Sequence, residues 1–248
     1  MSDLSEFTSG ADYDAQYGDQ YEPEIAFLNE MVSRVGSPVL DLCCGTGIVT
    51  LPVAETAEVV GVDLSGPMLV RAKAKRGDST NPQFVQANAL TLELARQFKL
   101  VFMTGNAFQG FQGEAALRRL LQIVAAHLET GGHFVFDSRL TDGHDLRLDD
   151  AYRQWDGYAT PDGRRVRFFV KQAAFDAEKK VFHYHMKREY EGGQVRTSSN
   201  SLTFLSLAEL LSLLRESGLE PVEMFADWGR TPLSQDPAKG IFHCRKRG

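Results

Sequence analysis

Short apolar runs alternate with longer amphipathic stretches between Val39 and Asp137, and this alternation constrains the fold more than any other feature of the sequence. Runs of four or five mainly apolar residues are typical of buried strands, whereas the stretches between them have helical periodicity. Strands and helices that alternate in this way form a parallel α/β sheet. We therefore predict strands at 39–42, 59–63, 83–87, 99–103 and 133–137, with helices at 48–56, 66–76 and 114–129.

The pattern changes after Asp137. A polar loop leads into three extended runs, "RRVRFFVKQAAF", "VFHYHMKREYE" and "QVRTSSNSLTFL". Gly192 and Gly193 separate the last two runs, and a glycine pair at this place is a strong hairpin signal. We therefore predict a small antiparallel sheet inserted after the fifth strand. A helix in "SLAELLSLLRESGLE" and two closing strands at 221–228 and 240–244 follow it.

The chain divides into three parts on this basis. Residues 1–35 form a polar arm, with tyrosines at 13, 17 and 21, and a helix in "EPEIAFLNEMVSRV"; the arm is a candidate lid. Residues 36–138 and 205–248 form the main α/β domain. Residues 139–204 form the inserted β subdomain, which we expect to cap a substrate pocket or to provide a homodimer surface; the sequence leaves both options open.

Composition excludes several classes of function. The 248 residues carry a formal net charge of −6, and the only dense basic run is Arg245, Lys246 and Arg247. Proteins that bind nucleic acid need clustered basic residues, so no nucleic-acid partner is expected. No leader and no stretch of about 18 apolar residues occurs, which predicts a cytoplasmic protein without a membrane partner.

Two adjacent cysteines stand in "VLDLCCGTGIV", and they suggest thiol chemistry, metal binding or a nucleotide-type turn. Neighbouring cysteines rarely reach good disulfide geometry, and Cys244 is the only other cysteine. The six histidines show no zinc-ligand spacing around Cys43 and Cys44, so no metal is expected. We favour a packing or turn role for both thiols.

The same stretch predicts a nucleotide-type cleft at the end of the first strand. A strand ending in Asp41, a turn through Gly45 and Gly47, and a following helix allow a ligand to approach the backbone closely. Asp63 ends the second strand, where a carboxylate can accept hydrogen bonds from both hydroxyls of a ribose. Thr50 stands where a dinucleotide fingerprint has its last glycine, and no P-loop lysine follows the turn. An adenosine ligand without phosphate fits this pattern best.

At this point the sequence resembles the class I S-adenosylmethionine-dependent methyltransferases. "VLDLCCGTG" is similar to their first motif at Asp41, Gly45 and Gly47, and departs from it at Cys43, where the family usually has glycine. The likeness continues through "VVGVDLSGPML", "FVQANAL", "LVFMTGNAFQGF", "GGHFVFDS" and "SLAELLSLLRESGLEPVEMF". It implies a Rossmann-like methyltransferase fold: a seven-stranded, mostly parallel sheet with an antiparallel last strand, plus the small inserted antiparallel sheet.

The resemblance implies S-adenosylmethionine as cofactor and S-adenosylhomocysteine as product. Asp63 would bind the ribose hydroxyls, and Asp41 would orient the turn or the cofactor's ammonium group. Gly45 and Gly47 would line the methionine and ribose portion of the cofactor, and Tyr21 would close over the cofactor from the arm. The remaining contacts are Leu64, Met68, Asn88 and Ala89 at the adenine, and Met103 and Thr104 at the end of the fourth strand.

The acceptor side is less defined. The resemblance places an acceptor pocket after the fourth strand, and the residues expected to line it are Asn106, Phe108, Phe111, Arg139 and Tyr184. The D/N-P-P-Y/F tetrapeptide of the DNA and protein-amide methylating branches is absent. The catalytic residue is unknown, with Tyr13, Asn106 and His185 as candidates. His183 and His185 alternate with Phe182, Tyr184 and Met186, and we expect the apolar face to point inward.

These observations predict a methyltransferase that acts on an N or O atom of a small-molecule acceptor. Methyl transfer from a sulfonium is an in-line displacement on an activated donor, so alignment and exclusion of water can supply much of the acceleration. Two alternatives remain at this stage. One is a nonenzymatic protein that binds S-adenosylmethionine in a regulatory role, and the other is an NAD-dependent oxidoreductase.

Overall fold

The computed structural model describes residues 4–145 and 147–248. Its helices alternate with strands through the main domain, as expected from the sequence. The helices are α1 (Gly10–Tyr17), α2 (Glu22–Val35), α3 (Thr50–Val53), α4 (Gly66–Arg76), α5 (Glu114–His127) and α6 (Leu207–Glu216). Short 3₁₀ turns lie at Ser5–Phe7, Ala89–Thr91 and Ala107–Gly110. None of the helices in these two ranges is long and apolar enough to cross a membrane.

The main sheet has seven strands: β1 (Val39–Leu42), β2 (Val59–Asp63), β3 (Gln83–Gln86), β4 (Phe98–Met103), β5 (Leu128–Arg139), β10 (Leu219–Phe225) and β11 (Lys239–Lys246). Their spatial order is β10-β11-β5-β4-β1-β2-β3. β1 to β5 pair in parallel, and β11 lies antiparallel to both β5 and β10. The predicted Rossmann-like sheet with an antiparallel last strand is confirmed. The strand order reverses between β1 and β4, so ligands are expected at the carboxyl ends of these strands.

Two predicted helices differ in length from those observed. The helix expected at 48–56 is the four-residue α3, because the glycine turn still continues through Val49. The helix expected at 114–129 ends at His127, and β5 begins at Leu128 with Gly131 at a φ of 76° inside it. A register shift between Phe98 and Leu100 on the neighbouring strand accommodates this start.

Apolar side chains cover both faces of the main sheet, as a parallel sheet requires. On one face, residues such as Leu40, Phe134 and Phe242 pack with the leucines of α5 and α6. On the other face, Val39, Leu100 and Val135 pack with α2 and Trp228; the α2 residues in this cluster are Phe27, Leu28, Met31 and Val32. The buried sheet therefore gives the strand ends a rigid base.

The inserted sheet has four antiparallel strands, not the three predicted: β6 (Arg153–Ala159), β7 (Arg165–Asp176), β8 (Val181–Tyr190) and β9 (Val195–Thr203). β6 is an edge strand whose residues are mostly exposed, so it lacks the alternating apolar pattern that identifies a strand in a sequence. Phe182 and Met186 of β8 are buried whereas His185 is exposed. The expectation that the apolar face of β8 points inward is confirmed.

Candidate functional site

The glycine turn after β1 has an unusual backbone. Cys43, Gly45 and Gly47 all have positive φ, of 63°, 55° and 75°. Cys43 therefore adopts the left-handed conformation that a glycine adopts without steric cost. The Cys44 N–H donates to the Val62 carbonyl at 3.0 Å, which ties the turn to β2. Burial raises the pKa of both thiols well above the ordinary value, so they stay protonated, which agrees with a packing role in the turn.

Asp63 connects the two strand ends. One carboxylate oxygen accepts the Gly45 N–H at 2.8 Å, and the other accepts the Ser65 N–H at 2.7 Å. Burial raises the pKa of this carboxyl, and the backbone N–H groups oppose the rise. A carboxylate has about four lone-pair sites, so Asp63 can still accept hydrogen bonds from a ligand's hydroxyls.

Asp41 has only one partner in the described part of the chain. It is 2% exposed and accepts the Thr50 hydroxyl at 2.6 Å. Burial raises its pKa to about 8, and the charge of Asp63 adds to the effect. A buried carboxyl with spare acceptor capacity is suited to an ammonium group, which would restore its ionised form. The role of Thr50 was not foreseen, because a threonine in a turn carries no distinctive signal.

The residues expected around adenine occupy different depths. Leu64 is 39% exposed, whereas Met68 is fully buried. Asn88 caps the 3₁₀ turn that follows it, with its side-chain oxygen accepting the Leu90 N–H at 2.9 Å, and Ala89 is buried. Further along, the Met103 side chain lies in the core and Thr104 is half-buried. The assignment of Met103 and Thr104 as cofactor contacts stays a prediction.

The N-terminal arm lies across these strand ends. The rings of Tyr13 and Tyr17 are 4.8 Å apart, and the Tyr13 hydroxyl lies 3.4 Å from that of Tyr21. The Tyr21 hydroxyl lies against Gly105, since a Cβ built on that glycine would be 2.7 Å from it. Burial raises the pKa of Tyr21 to about 12 and that of Tyr13 well above its ordinary value. Tyr13 therefore acts as a neutral phenol near pH 7, not as a base.

Three acidic side chains of the arm, the acidic latch, fasten it to the rest of the molecule: Glu6, Asp12 and Asp14. Glu6 and Asp12 contact the inserted sheet, whereas Asp14 contacts the main domain. Glu6 pairs with Arg188 of β8 at 2.9 Å, and Asp12 accepts from Arg196 of β9 at 3.1 Å. Asp14 pairs with α4, through Arg71 at 2.7 Å and Lys75 at 3.0 Å. The arm therefore bridges the main sheet and the inserted sheet.

The turn after β4 contains a carboxylate that sequence reasoning missed. The Asn106 N–H donates to both carboxylate oxygens of Asp137, at 3.0 and 3.1 Å. Asn106 has a φ of 58°, and Asp137 is 4% exposed. The available signal was the position of Asp137 at the end of an apolar run, as for Asp41 and Asp63, but no motif singled it out.

Two residues predicted to line the acceptor pocket keep half-buried positions next to the cleft. Arg139 ends β5, and its guanidinium makes no ion pair within residues 4–145 and 147–248. Tyr184 donates from its hydroxyl to Gln172 at 3.1 Å and lies 3.4 Å from His144. The Tyr184 hydroxyl is therefore already bonded, whereas the Arg139 guanidinium has no ion-pair partner in the described part of the chain.

Three other predictions on the acceptor side need correction or refinement. Phe108 is buried with its ring 4.5 Å from that of Phe136, so it belongs to the core and does not line the cleft. Phe111 is half-buried against the same core cluster. His185 is exposed on the face of β8 opposite the buried Phe182 and Met186, so a catalytic role for it gains no support. Strand alternation made the position of His185 foreseeable.

No group of three or more His, Cys, Asp or Glu side chains in the described ranges could hold a metal ion. The cleft instead combines a carboxylate at each of two parallel strand ends, a turn with positive φ and no lysine, and a roof of tyrosines. A Cβ built on Gly45 would meet no atom of the described residues within 4 Å, so the turn leaves room for a ligand. The fold and this site define a nucleoside-binding α/β protein of the methyltransferase class.

Comparisons with known proteins identify the family. The model of the methyltransferase domain family matches residues 39–132. A cypemycin N-terminal methyltransferase from Streptomyces sp is 31% identical over 212 residues, which are 85% of this chain and 83% of that protein. A demethylmenaquinone methyltransferase from Staphylococcus saprophyticus is 42% identical over 69 residues, but these are only 26% of this chain and 30% of that protein.

Solved structures share the fold over nearly the whole chain. The CcbJ methyltransferase from Streptomyces caelestis has a TM-score of 0.78 and 25% identity, covering 97% of this chain and all of the other. CalS10, an amino pentose methyltransferase from Micromonospora echinaspora solved with bound S-adenosylmethionine, has a TM-score of 0.74 and 19% identity over 95% of both chains. The chain belongs to the S-adenosylmethionine-dependent methyltransferases. S-adenosylmethionine is its cofactor, and neither alternative, oxidoreductase or nonenzymatic binder, gains support.

Proposed function

We propose that this enzyme methylates a nitrogen or oxygen atom of a small molecule held between the carboxyl edge of the main sheet and the inner face of the inserted sheet. The observation that carries this proposal is the arm, which spans both sheets through the acidic latch and covers the strand ends with Tyr13, Tyr17 and Tyr21. A roofed cleft suits a small acceptor better than a macromolecule. The similarity to a methyltransferase of amino pentoses supports the same conclusion.

The residues present fit the cofactor. Asp63 would accept hydrogen bonds from the ribose hydroxyls, because its two backbone bonds leave lone pairs unused. Asp41 would pair with the ammonium group, and the open backbone at Gly45 would accommodate the chain between them. When bound, the cofactor supplies a methyl group activated by its sulfonium charge.

The side chains around the cleft contribute alignment and exclusion of water. No nucleophilic side chain is required for displacement at an activated methyl group, so an acceptor held in line with the donor accounts for most of the acceleration. The three tyrosines would exclude water from the cleft, because the rings of Tyr13 and Tyr17 pack together and the Tyr13 and Tyr21 hydroxyls contact each other. We infer an in-line displacement in which the chain positions the two reactants.

We also propose that the inserted sheet caps the acceptor. Its inner face carries Tyr184, beside Arg139 at the end of β5, so polar groups from both sheets meet where the acceptor would lie. The other expectation for this part of the chain, a homodimer surface, stays a prediction that sedimentation of the purified protein would test.

The cofactor assignment predicts the behaviour of one variant. Asp63→Ala should abolish binding of S-adenosylhomocysteine, for which we expect a dissociation constant of roughly micromolar magnitude in the wild type. Calorimetry on folded protein measures this, with circular dichroism to verify folding. Asp78→Ala, an exposed aspartate in the loop after α4, is the matched control and should bind normally. Equal affinity in both variants would contradict the role of Asp63.

A further inference from the structure

The strand edge contains one buried carboxylate that the cofactor roles leave unused. Asp137 ends its apolar run in β5 and spends both oxygens on the Asn106 N–H. Asp137 is almost completely buried, and its partner is a backbone N–H. This pair of contacts therefore fixes the backbone of the turn after β4. The turn is thereby held in the left-handed conformation that Asn106 adopts.

Asn106 has an unsatisfied acceptor. Its side-chain oxygen is buried and has no hydrogen-bond partner among the residues that the structure describes. Buried side-chain oxygens are nearly always paired in native proteins, since an unpaired one costs free energy. An orphaned oxygen beside a ligand cleft therefore indicates a donor that a ligand brings.

The groups around this turn are mostly acceptors or neutral phenols. Tyr21 lies against Gly105, and Tyr13 contacts Tyr21 from the arm. Glu24 at the start of α2 and Lys239 of β11 are the charged groups that act on Asp137. Burial raises the Asp137 pKa to about 6, so the carboxyl is largely ionised at neutral pH. The site favours a ligand that donates N–H groups and develops positive charge.

We propose that Asn106 accepts a hydrogen bond from the N–H of an amine acceptor, and that Asp137 acts as its positioning residue. This inference rests on the proposed function and selects nitrogen over oxygen as the methylated atom. An amine nitrogen becomes positively charged as it is methylated, and the buried anion of Asp137 stabilises that charge. An alcohol would instead require a base, but the neighbouring tyrosines stay protonated near pH 7 and both oxygens of Asp137 are occupied by the Asn106 N–H.

The transfer balances without a further reactant. The acceptor binds as the neutral amine, and its lone pair forms the new N–C bond while the C–S bond of the donor breaks with its electron pair moving to sulfur. The product leaves as an ammonium ion, so the positive charge of the sulfonium passes to nitrogen. Asn106 changes neither protonation nor charge in this step.

Asn106→Gly tests the contact directly. Glycine keeps the left-handed backbone and the N–H bond to Asp137, and only the amide side chain with its oxygen is lost. We expect kcat/KM for an amine to fall by about tenfold to hundredfold, with S-adenosylhomocysteine affinity within about twofold of wild type. Lys180→Gly is the matched control, because Lys180 has a φ of 57° in the turn between β7 and β8. It should leave kcat/KM unchanged.

Asp137→Asn tests the positioning role. The amide oxygen can still accept the Asn106 N–H, but the negative charge is gone. The wild type should lose kcat/KM as the pH falls through about 6, where Asp137 becomes protonated. The variant should be slower at neutral pH and should lack this limb, so that only protonation of the amine substrate, which affects both enzymes equally, shapes its profile. A purely structural role for Asp137 would leave the limb in place, and that result would overturn the proposal.

The acceptor class is tested with a probe panel. Wild-type enzyme is assayed for S-adenosylhomocysteine formation with small primary and secondary amines, amino sugars included, and with alcohols of matched shape. Turnover of amines but not of their alcohol partners supports the inference. Turnover of alcohols alone overturns it while the proposed function stands. Product formation from no member, despite tight cofactor binding, rejects the proposed function and this inference with it.

Discussion

Asp41 and Asp63 lie at the ends of neighbouring strands, yet their surroundings give them different chemistry. Asp63 accepts two backbone N–H groups, which stabilise its ionised form. Asp41 accepts only the Thr50 hydroxyl and is more deeply buried, so its pKa rises to about 8. At the scale of single residues, the number of hydrogen-bond donors on a buried carboxylate therefore decides how strongly its ionised form is stabilised in the ligand-free protein.

This difference leads to a prediction for Asp41→Asn. The Asp41 carboxyl has a pKa of about 8 in the folded protein and its ordinary value of 3.8 in the unfolded chain. Between these two pH values only the folded form keeps the proton, so the contribution of Asp41 to the free energy of unfolding decreases as the pH rises towards 8. The neutral amide removes this contribution, and the stability of the variant should decline less between about pH 5 and about pH 8. Urea unfolding without cofactor measures it.

The same variant should bind the cofactor at least about tenfold more weakly, because the ammonium group loses its carboxylate. Thr50→Val keeps the charge and serves as the comparison. Identical pH slopes for wild type and Asp41→Asn would show that Asp41 does not titrate in this range.

Single residues were predictable where a motif or a strand end marks them. Asp41, Asp63 and the turn glycines follow from the alternation of strands and helices together with a short glycine pattern. Asp137 also ends a strand, but its pairing with the Asn106 N–H depends on a left-handed turn 31 residues away. No local pattern in the sequence reports such a contact, and the same holds for the orphaned oxygen of Asn106.

At the scale of elements, α1 is a short helix with few buried residues, and charged contacts hold it in position. The helix has eight residues and starts at Gly10, with Ser9 as its N-cap. Its two carboxylates, Asp12 and Asp14, reach α4, β8 and β9, so long-range contacts hold a helix that would be unstable in isolation. The tyrosine spacing suggested a lid, but only the structure shows its partners.

The acidic latch leads to a prediction for Asp14→Asn. The side chain is 14% exposed and carries two ion pairs, so the loss of its charge should loosen the arm from α4. We expect S-adenosylhomocysteine to dissociate about threefold to tenfold faster, as for a partly buried pair worth about 1 kcal/mol. Stopped-flow tyrosine fluorescence measures the rate.

The control is Glu58→Gln, which removes a surface pair with Arg96 at 2.7 Å outside the cleft. Its dissociation rate should match the wild type. The latch would have no role in cofactor retention if Asp14→Asn also released the ligand at the wild-type rate, or if high salt failed to accelerate release from the wild-type enzyme.

At the scale of the whole molecule, a buried polar junction joins the two sheets. Thr203 at the end of β9 accepts the Gly113 N–H at 2.8 Å and donates to the Phe111 carbonyl at 2.8 Å. Gln109 donates to the Thr203 carbonyl at 3.1 Å. The parallel order of the main sheet was predictable from its alternating pattern. This junction was not, because it joins residues about 90 positions apart.

Thr203→Val should destabilise the protein by about 1–3 kcal/mol, because a buried N–H and a buried carbonyl lose their partner while the volume is conserved. Urea unfolding followed by circular dichroism gives the change. Thr197→Val, on an exposed position of the same strand, is the matched control and should change stability by less than about 0.5 kcal/mol. Equal changes in the free energy of unfolding for Thr203→Val and Thr197→Val would show that the hydrogen bonds of Thr203 do not stabilise the fold.

The ion pair between Glu6 and Arg188 joins residues 182 positions apart. During synthesis the arm leaves the ribosome long before β8 and β9 exist, so Glu6 and Asp12 then lack their basic partners and only Asp14 can already pair with α4. The nascent chain can therefore contain all the strands that form the nucleoside pocket before β8 and β9, which hold the arm over that pocket, have been made. Full closure of the arm over the cofactor is therefore a late event in the biogenesis of this enzyme, because two of the three latch residues need strands of the inserted sheet as partners.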